Sequence, residues 1–178
     1  NSSRSHRYIY VDCHMNQETV KPEIFTFGGE TMGRLADGRA VFVPFALPGE
    51  EVRIELVEDK PRYARARLVD VLTPSEKRVE ARCPHFAQCG GCHYQHLPYQ
   101  EQLTIKTDIL RDQLQRIGKI EDPPVKPCVA SKQPWNYRNQ MQFQISPEGQ
   151  LGFQSQGGQA VIPISECHLP EDSINQLW

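Results

Sequence analysis

Hydrophobic and polar positions alternate over short stretches in the first part of the chain. Between residues 20 and 72, short β-prone runs are broken by glycine or proline, and Asp37-Gly38 is a dipeptide that strongly favours a tight hairpin turn. Within residues 52–56 and 63–68, alternation places the apolar side chains on one face of each strand. Five short strands in about 50 residues predict a small closed β-barrel over residues 20–75.

The second part of the chain has a different pattern. Apolar residues spaced three or four apart from Tyr99 to Ile117 predict one helix, which Pro98 begins and Gly118 ends. Further strands are predicted near residues 140–145, 151–153 and 160–164, and the first would place three glutamines on one face, namely Gln140, Gln142 and Gln144. The fold class is therefore mainly β with some α structure (α+β), with a small α+β domain over residues 76–178.

The chain ends and the composition set broad limits. Residues 1–19 have no period, and we expect a poorly ordered tail or a vector-derived addition. The chain has 178 residues, a formal net charge of −2 and 24% charged residues, which excludes a uniformly basic coat for nucleic acid. There is no run of 18 apolar residues and no secretory signal. We therefore expect a cytoplasmic monomer with no membrane partner.

A local basic stretch stands out against the acidic net charge. Residues 60–82 contain seven basic and three acidic residues, a local net charge of +4. The period of two puts Tyr63, Arg65 and Arg67 on one strand face. An aromatic ring beside guanidinium groups suits single-stranded nucleic acid, because a base can stack while phosphates are neutralised. The alternative interpretation is a merely solvated outer face.

Three of the six cysteines are clustered, in the pattern Cys83-x5-Cys89-Gly-Gly-Cys92, and Cys167 follows 75 positions after Cys92. Four thiolates suit either a tetrahedral zinc or a 4Fe–4S cluster. One group of three plus a distant ligand favours the cluster, whereas nearby histidines keep zinc open, and the thiols could also bind no metal. Cys13 and Cys128 stand alone and are expected to be ordinary thiols.

These motifs, in this order, resemble the bacterial 23S ribosomal RNA (uracil-5-)-methyltransferases over residues 20–178. The resemblance is carried by the cysteine group and by Gln95-His96-Leu97-x-Tyr99-x2-Gln102, Pro134-Trp-x-Tyr137-Arg138-Asn139 and Leu151-Gly152-Phe153. Upstream, Gly28-Gly29-x3-Gly33-Arg34 and Val41-x-Val43-Pro44-x3-Pro48-Gly49-Glu50 look like the TRAM domain that opens many of these enzymes.

The resemblance implies an architecture, a cofactor and a partner. The barrel would be a five-stranded OB-like TRAM domain that binds RNA, in particular 23S ribosomal RNA. Cys83, Cys89, Cys92 and Cys167 would hold a structural 4Fe–4S cluster. Together with the strand faces, the resemblance suggests these RNA-binding residues: Arg34, Arg62, Tyr63, Arg65, Arg67, Arg138, Gln140, Gln142 and Phe153.

The resemblance also implies a reaction for the full-length enzyme. A cysteine thiolate adds to C6 of uracil, C5 takes the methyl group of S-adenosylmethionine, and a base removes the C5 proton. The sequence has no glycine-rich loop for S-adenosylmethionine, and neither lone cysteine has the context of such a nucleophile. We therefore expect the catalytic domain to be absent from this chain, S-adenosylmethionine to bind only the full-length enzyme, and this chain to be the inactive RNA-recognition half.

Three alternatives remain at this stage. A stand-alone RNA-binding protein with a structural zinc or iron–sulfur site fits the same residues. A ferredoxin-like redox protein fits the cysteines, but not the barrel and its basic strand. A methyltransferase that modifies transfer RNA is the third, although a TRAM domain with four cysteines favours ribosomal RNA.

Overall fold

The computed structural model describes residues 17–158 and 160–176, which form nine strands and two helices. In chain order these are β1 (Gln17–Val20), β2 (Ile24–Phe25), β3 (Glu30–Arg34), β4 (Ala40–Pro44), β5 (Glu51–Asp59), β6 (Tyr63–Thr73), α1 (Tyr99–Arg116), β7 (Gln144–Ile145), β8 (Leu151–Gln154), β9 (Val161–Pro163) and α2 (Asp172–Asn175). No helix within these ranges is long and apolar enough to cross a membrane. The predicted fold class, mainly β with some α structure, is confirmed.

The first six strands form one sheet in the order β1-β5-β6-β4-β3-β2, and only β4 and β6 are parallel. Its edge strands are joined by just three residues, 21–23. Six flat strands would hold the edges roughly 24 Å apart, whereas the backbone from Val20 to Ile24 spans at most about 14 Å. The sheet must therefore curl until its edges approach each other, as in a barrel. The connection between the edges packs closely on β3, since a Cβ on Gly33 would lie 3.1 Å from the carbonyl oxygen of Lys21.

The core of this sheet is formed by the apolar faces that alternation predicts. On β6, Ala64 and Ala66 are buried while Tyr63, Arg65 and Arg67 point outward. The sheet has six strands rather than the predicted five, because β1 adds to the edge of β5. This strand begins at Gln17, so residues 17–19 of the expected tail are paired, and the rest of that tail lies outside the described residues.

A buried ion pair joins the barrel to the segment that follows it. The Glu50 side chain is fully buried and accepts hydrogen bonds from Nε and Nη2 of Arg78, both at 2.6 Å. The backbone amides of Leu47 and Ser75 donate to the same carboxylate at 2.8 and 3.0 Å. Arg78 also donates to the carbonyl oxygen of Phe45 at 2.8 Å. The base of the second region is thereby fixed to the turn before β5.

The second region combines α1 with a small antiparallel sheet in the order β7-β8-β9. The helix lies where the spacing predicts it and buries Leu103 and Thr107, whereas Leu110 and Ile117 of the predicted apolar set are exposed. The strand predicted over residues 140–145 is mostly wrong, because β7 contains only Gln144 and Ile145 and residues 140–143 lie outside the strands. Ile145 in β7 is 71% exposed.

Candidate nucleic-acid interface and cysteine cavity

The outer face of the barrel brings aromatic and basic side chains together. Strand register places Arg34 opposite Ala40 and Ala40 opposite Tyr63, and the next row aligns Phe42 with Arg65. The Phe42 and Tyr63 rings meet edge to face at 6.1 Å, and the Arg65 guanidinium lies 5.5 Å from the Phe42 ring centroid. Phe42 was missed in the sequence, where it appears inside an apolar run. Phe42 lies between Val41 and Val43, which are both buried, so alternation places its side chain on the outer face. That alternation was the available signal.

Most of the predicted basic stretch is neutralised by carboxylates from other elements. Of its seven cations, five form ion pairs, which are Lys60–Glu58, Arg65–Glu30, Arg67–Glu55, Lys77–Glu101 and Arg78–Glu50. Arg65 is held at 2.6 and 2.7 Å by the two Glu30 oxygens, and Glu58 lies 3.7 Å away. A phosphate at Arg65 would therefore have to compete with two carboxylates. Arg62 and Arg82 have no ion pair within the described residues.

The remaining two arginines named for the barrel face are exposed. Arg34 ends β3 and donates to the carbonyl oxygen of Gly38 at 3.1 Å. Arg62 lies in the turn between β5 and β6, beside Tyr63. Both can reach a phosphate without breaking an ion pair seen in the described residues. The barrel face thus has free cations at its margin and paired cations at its centre.

The four predicted cysteine ligands line one cavity of about 420 Å³. Cys83, Cys89 and Cys92 come from the loop before α1, and Cys167 comes from the loop after β9. All four are partly buried, and no disulfide joins the cysteines in the described part of the chain. The structure thus brings together the set that the sequence grouped. Cys128 lies apart and exposed, and Cys13 lies outside the described residues.

Backbone contacts hold the cysteine loop against β8. Cys89 forms an isolated bridge with Ser155, and the Gly90 amide donates to the Gln154 carbonyl at 2.9 Å. A Cβ on Gly90 would lie 3.1 Å from the Ser155 carbonyl oxygen, so this approach favours glycine. On the other side, the Cys83 amide donates to Oε1 of Gln95 at 3.0 Å. Both ends of the cysteine group are therefore anchored.

The electrostatics of the cavity show that the thiols influence one another. Burial raises the pKa of Cys83, Cys92 and Cys167, and the charge of neighbouring thiolates raises each further. For Cys92 the Gln95 side chain and the Arg138 charge act in the opposite direction. Without a bound cation these thiols favour their protonated form, so a metal centre would have to displace protons when it binds.

The donor set can be compared with what each kind of metal centre requires. Among the described residues, no three His, Cys, Asp or Glu side chains are gathered closely enough to hold one metal ion. A single zinc requires its ligands at about 2.3 Å from one point, whereas each cysteine of an iron–sulfur cluster can bind a different iron atom. In addition, Nε2 of His85, which lines the same cavity, is buried without a hydrogen-bond partner in the described residues. Four thiols that line one cavity form a donor set that both kinds of metal centre use.

The predicted RNA-binding residues of the second region fall in two places. Arg138, Gln142 and Phe153 line the cysteine cavity, while Gln140 is exposed and does not. The Phe153 ring stacks on Phe143 at 5.3 Å with an angle of 17° between the planes. One face of Phe153 is therefore occupied by a protein ring and not left for a base.

A buried histidine lies where the cysteine loop meets the barrel. His96 is 2% exposed, and its ring lies 5.4 Å from Phe86 and 6.4 Å from Phe45. Neither ring nitrogen has a hydrogen bond of good geometry within the described residues, although the Ala46 backbone is close. Burial, and next the positive charge of Arg78, lower the pKa of His96 to about 4. It is therefore a neutral packing residue at physiological pH.

Comparisons with known proteins identify the barrel and relate most of the chain to RNA methyltransferases. Residues 19–69 match the TRAM domain family. A protein of Aquifex aeolicus named an uncharacterized RNA methyltransferase is 43% identical over 155 residues, which are 87% of this chain and 36% of that protein. The 23S rRNA (uracil(1939)-C(5))-methyltransferase RlmD of Methylococcus capsulatus is 37% identical over 159 residues, covering 86% of this chain and 35% of that protein.

A solved structure gives the same result. The crystal structure of the Pyrococcus abyssi tRNA (uracil-54, C5)-methyltransferase in complex with S-adenosyl-L-homocysteine aligns with a TM-score of 0.59 and 25% identity. The alignment covers 93% of this chain and 35% of that one. The chain thus spans about a third of the length of the relatives it matches. The resemblance seen in the motifs is confirmed: the chain contains a TRAM domain and is similar, over most of its length, to part of the RNA methyltransferases.

Proposed function

We propose that this chain is the RNA-recognition part of an S-adenosylmethionine-dependent 23S rRNA (uracil-5-)-methyltransferase. The observation that carries the proposal is its similarity, over more than four fifths of its length, to proteins named RNA methyltransferases. The printed name of the Methylococcus relative supports 23S rRNA and uracil C5 as the target. The bound S-adenosyl-L-homocysteine in the Pyrococcus structure supports S-adenosylmethionine as methyl donor in the full-length enzyme.

The TRAM barrel contributes binding. Its outer face offers the Phe42–Tyr63 pair for a base and the marginal Arg34 and Arg62 for phosphates. Arg65 and Arg67 add to this face once RNA draws them from their carboxylates, an exchange of one anionic partner for another. This arrangement of rings and guanidinium groups matches the way that single strands are bound.

The cysteine cavity contributes structure. We propose that Cys83, Cys89, Cys92 and Cys167 hold a 4Fe–4S cluster, supported by the one cavity that all four line and by the thiolate ligands that such clusters take. When bound, the cluster would cross-link the loop before α1 to the loop after β9. The Arg138 charge, which favours the Cys92 thiolate, would stabilise the anionic ligand set.

We propose no catalytic residue in the described part of this chain. Cys128 is exposed, and its thiol lies 3.9 Å from the carbonyl oxygen of Val129, with no basic side chain bonded to it in the described residues. A nucleophilic cysteine requires a lowered pKa or an adjacent base. We therefore propose that the chain binds RNA without methylating it.

The test is a titration of a labelled 23S rRNA hairpin at several salt concentrations. Wild type should bind, and Arg65→Ala/Arg67→Ala should bind more weakly, with the salt slope reduced by about 0.7–0.9 for each lost phosphate contact. Arg111→Ala/Arg116→Ala on α1 is the matched control, because both arginines are also exposed and ion-paired. Failure of wild type to bind the hairpin would refute the proposed function.

Two further measurements separate the parts of the proposal. Radioactive S-adenosylmethionine and a uracil-containing RNA should give no methyl incorporation with this chain alone. Protein purified without oxygen should contain iron and sulfide and show the broad visible absorbance of an iron–sulfur cluster. Stoichiometric zinc without iron would show that the cluster proposal is wrong and that the four cysteines form a zinc site.

A further inference from the structure

A second cavity, of about 520 Å³, lies against the cysteine cavity. We call it the aromatic groove. The two cavities share residues 91–93 and 95 of the cysteine loop as a wall. The groove is also lined by the first turns of α1 and by side chains from residues 131–137. Its volume falls within the range of small-ligand sites.

The groove combines flat rings with two cations. Tyr94, Tyr99 and Trp135 line it, together with Arg82 and Lys106. The Arg82 guanidinium lies 5.2 Å from the Trp135 ring centroid, and Nζ of Lys106 lies 5.9 Å from that of Tyr94. A ring, or a guanidinium plane above a ring, is a platform on which an unpaired base stacks.

The charges of the groove are available for an anion. Neither Arg82 nor Lys106 forms an ion pair with the carboxylates of the described residues, in contrast to Arg65, Arg67 and Arg78. Glu80 also lines the groove, and it pairs with neither cation there. The second region therefore concentrates unpaired positive charge beside aromatic surface, which is the combination that the centre of the barrel face lacks.

We propose that the aromatic groove binds one unpaired nucleotide of the RNA. Its base stacks at Trp135 and Tyr94, and its phosphate lies near Arg82 and Lys106. This inference rests on the proposed function and specifies where RNA contacts the second region. Because the groove and the cysteine cavity share a wall, the bound nucleotide contacts the loop that carries Cys92.

The test uses Trp135 as its own reporter. The chain has two tryptophans, so Trp178→Phe leaves Trp135 as the single indole. Titration of this variant with single-stranded dodecauridylate should quench its fluorescence, because a base stacks on the indole. The same strand paired with its adenylate complement should not quench, because its bases are already stacked. Equal quenching by both forms would overturn the proposal.

Variants then test the groove through the anisotropy of labelled dodecauridylate. Trp135→Leu should weaken binding by about 5- to 150-fold, the range for one lost base stack, and Trp135→Phe should restore most of it. Arg82→Gln/Lys106→Gln should lower the salt slope by about 0.7 for each phosphate contact. The control Arg111→Gln/Arg116→Gln should change neither the affinity for dodecauridylate nor the salt slope.

The outcomes distinguish a failure of the groove proposal from a failure of the proposed RNA-binding function. If the cation variant melts like wild type and binds RNA with the wild-type affinity and salt slope, the groove is not the site, while RNA binding by the chain stands. If wild type binds neither dodecauridylate nor the ribosomal hairpin, both proposals fail. If Trp135→Leu does not fold, Arg82→Gln/Lys106→Gln still tests the proposal.

Discussion

Replacing Glu50 with glutamine should destabilise the junction between the barrel and the second region. Its fully buried carboxylate accepts four hydrogen bonds, two of them from Arg78. Glutamine preserves the shape but presents an amide N–H₂ where one oxygen met a donor. The guanidinium of Arg78, which is 23% exposed, would then lack its anionic partner.

The size of the effect follows from that geometry. Removing one partner of a buried ion pair costs about 3–5 kcal/mol of the free energy of unfolding, because the other charge stays buried. In a chain of this size, each kcal/mol lowers the melting temperature by about 2–4 °C. We therefore expect Glu50→Gln to melt roughly 6–20 °C below wild type.

The assay is thermal and urea unfolding followed by circular dichroism. The matched control is Glu101→Gln, which removes a partly exposed carboxylate 2.8 Å from the exposed Lys77 and should cost no more than about 1 kcal/mol. If the two variants lose equal stability, or if Glu50→Gln loses less than about 1 kcal/mol, the junction does not depend on this ion pair and the reasoning is refuted.

The same residue predicts a pH dependence. Burial alone would raise the pKa of Glu50, but the Arg78 hydrogen bonds and the Ser75 and Leu47 amides hold it below the ordinary value of 4.5. The unfolded chain therefore takes up this proton first. The stabilisation is complete well above pH 4.5 and is lost as the pH falls through the lower pKa of Glu50 in the folded state. The difference in free energy of unfolding between wild type and Glu50→Gln should therefore become smaller as the pH falls below 4.5.

The other predictions concern single positions. Cys167→Ser should lower the iron content of anaerobically purified protein, whereas Cys128→Ser should leave it unchanged; equal iron in both would contradict the assigned ligands. Gly152→Ala should cost at least about 2 kcal/mol in urea unfolding, because its Cβ would lie 2.2 Å from a backbone oxygen, while Gly157→Ala, in open space, should be silent. Between pH 6.5 and about 4, the unfolded chain protonates His96 and the folded chain does not, so stability should fall by up to about 3 kcal/mol across that window. His96→Phe should remove this part of the slope, and an unchanged slope would exclude His96 as its source.

The parts of the fold that could be predicted are those where one face of a regular element meets a core. The alternation of β6 follows directly from burial on one side, and the three-to-four spacing of α1 gives the extent of the helix although it buries only Leu103 and Thr107. The glutamine segment shows the limit of this rule. Met141 and Phe143 are half-buried and their glutamine neighbours exposed, as alternation predicts. However, this segment pairs with β8 through Gln144 and Ile145, and β7 includes no residue before them.

Ion pairs could not be read from the sequence, because their partners are far apart along the chain. Arg65 meets Glu30 35 positions away, and Arg78 meets Glu50 28 positions away. A run of basic residues therefore predicted one cationic surface where the structure divides it into paired and unpaired members. Glu50 itself appeared to be only the end of a Leu-Pro-Gly-Glu turn. The cysteine set was predictable from its spacing, but the adjoining groove was not, since it is assembled from three separate segments.

The distribution of the cavity cysteines along the chain has a consequence for protein synthesis. Three of them leave the ribosome together, and the fourth follows 75 residues later. At about 5–20 residues per second, that interval lasts roughly 4–15 s. The barrel pairs strands within residues 17–73 and can form in that time. If the barrel folds in this interval, the nascent chain presents three clustered thiols before Cys167 is made, and these thiols have to stay reduced until it arrives.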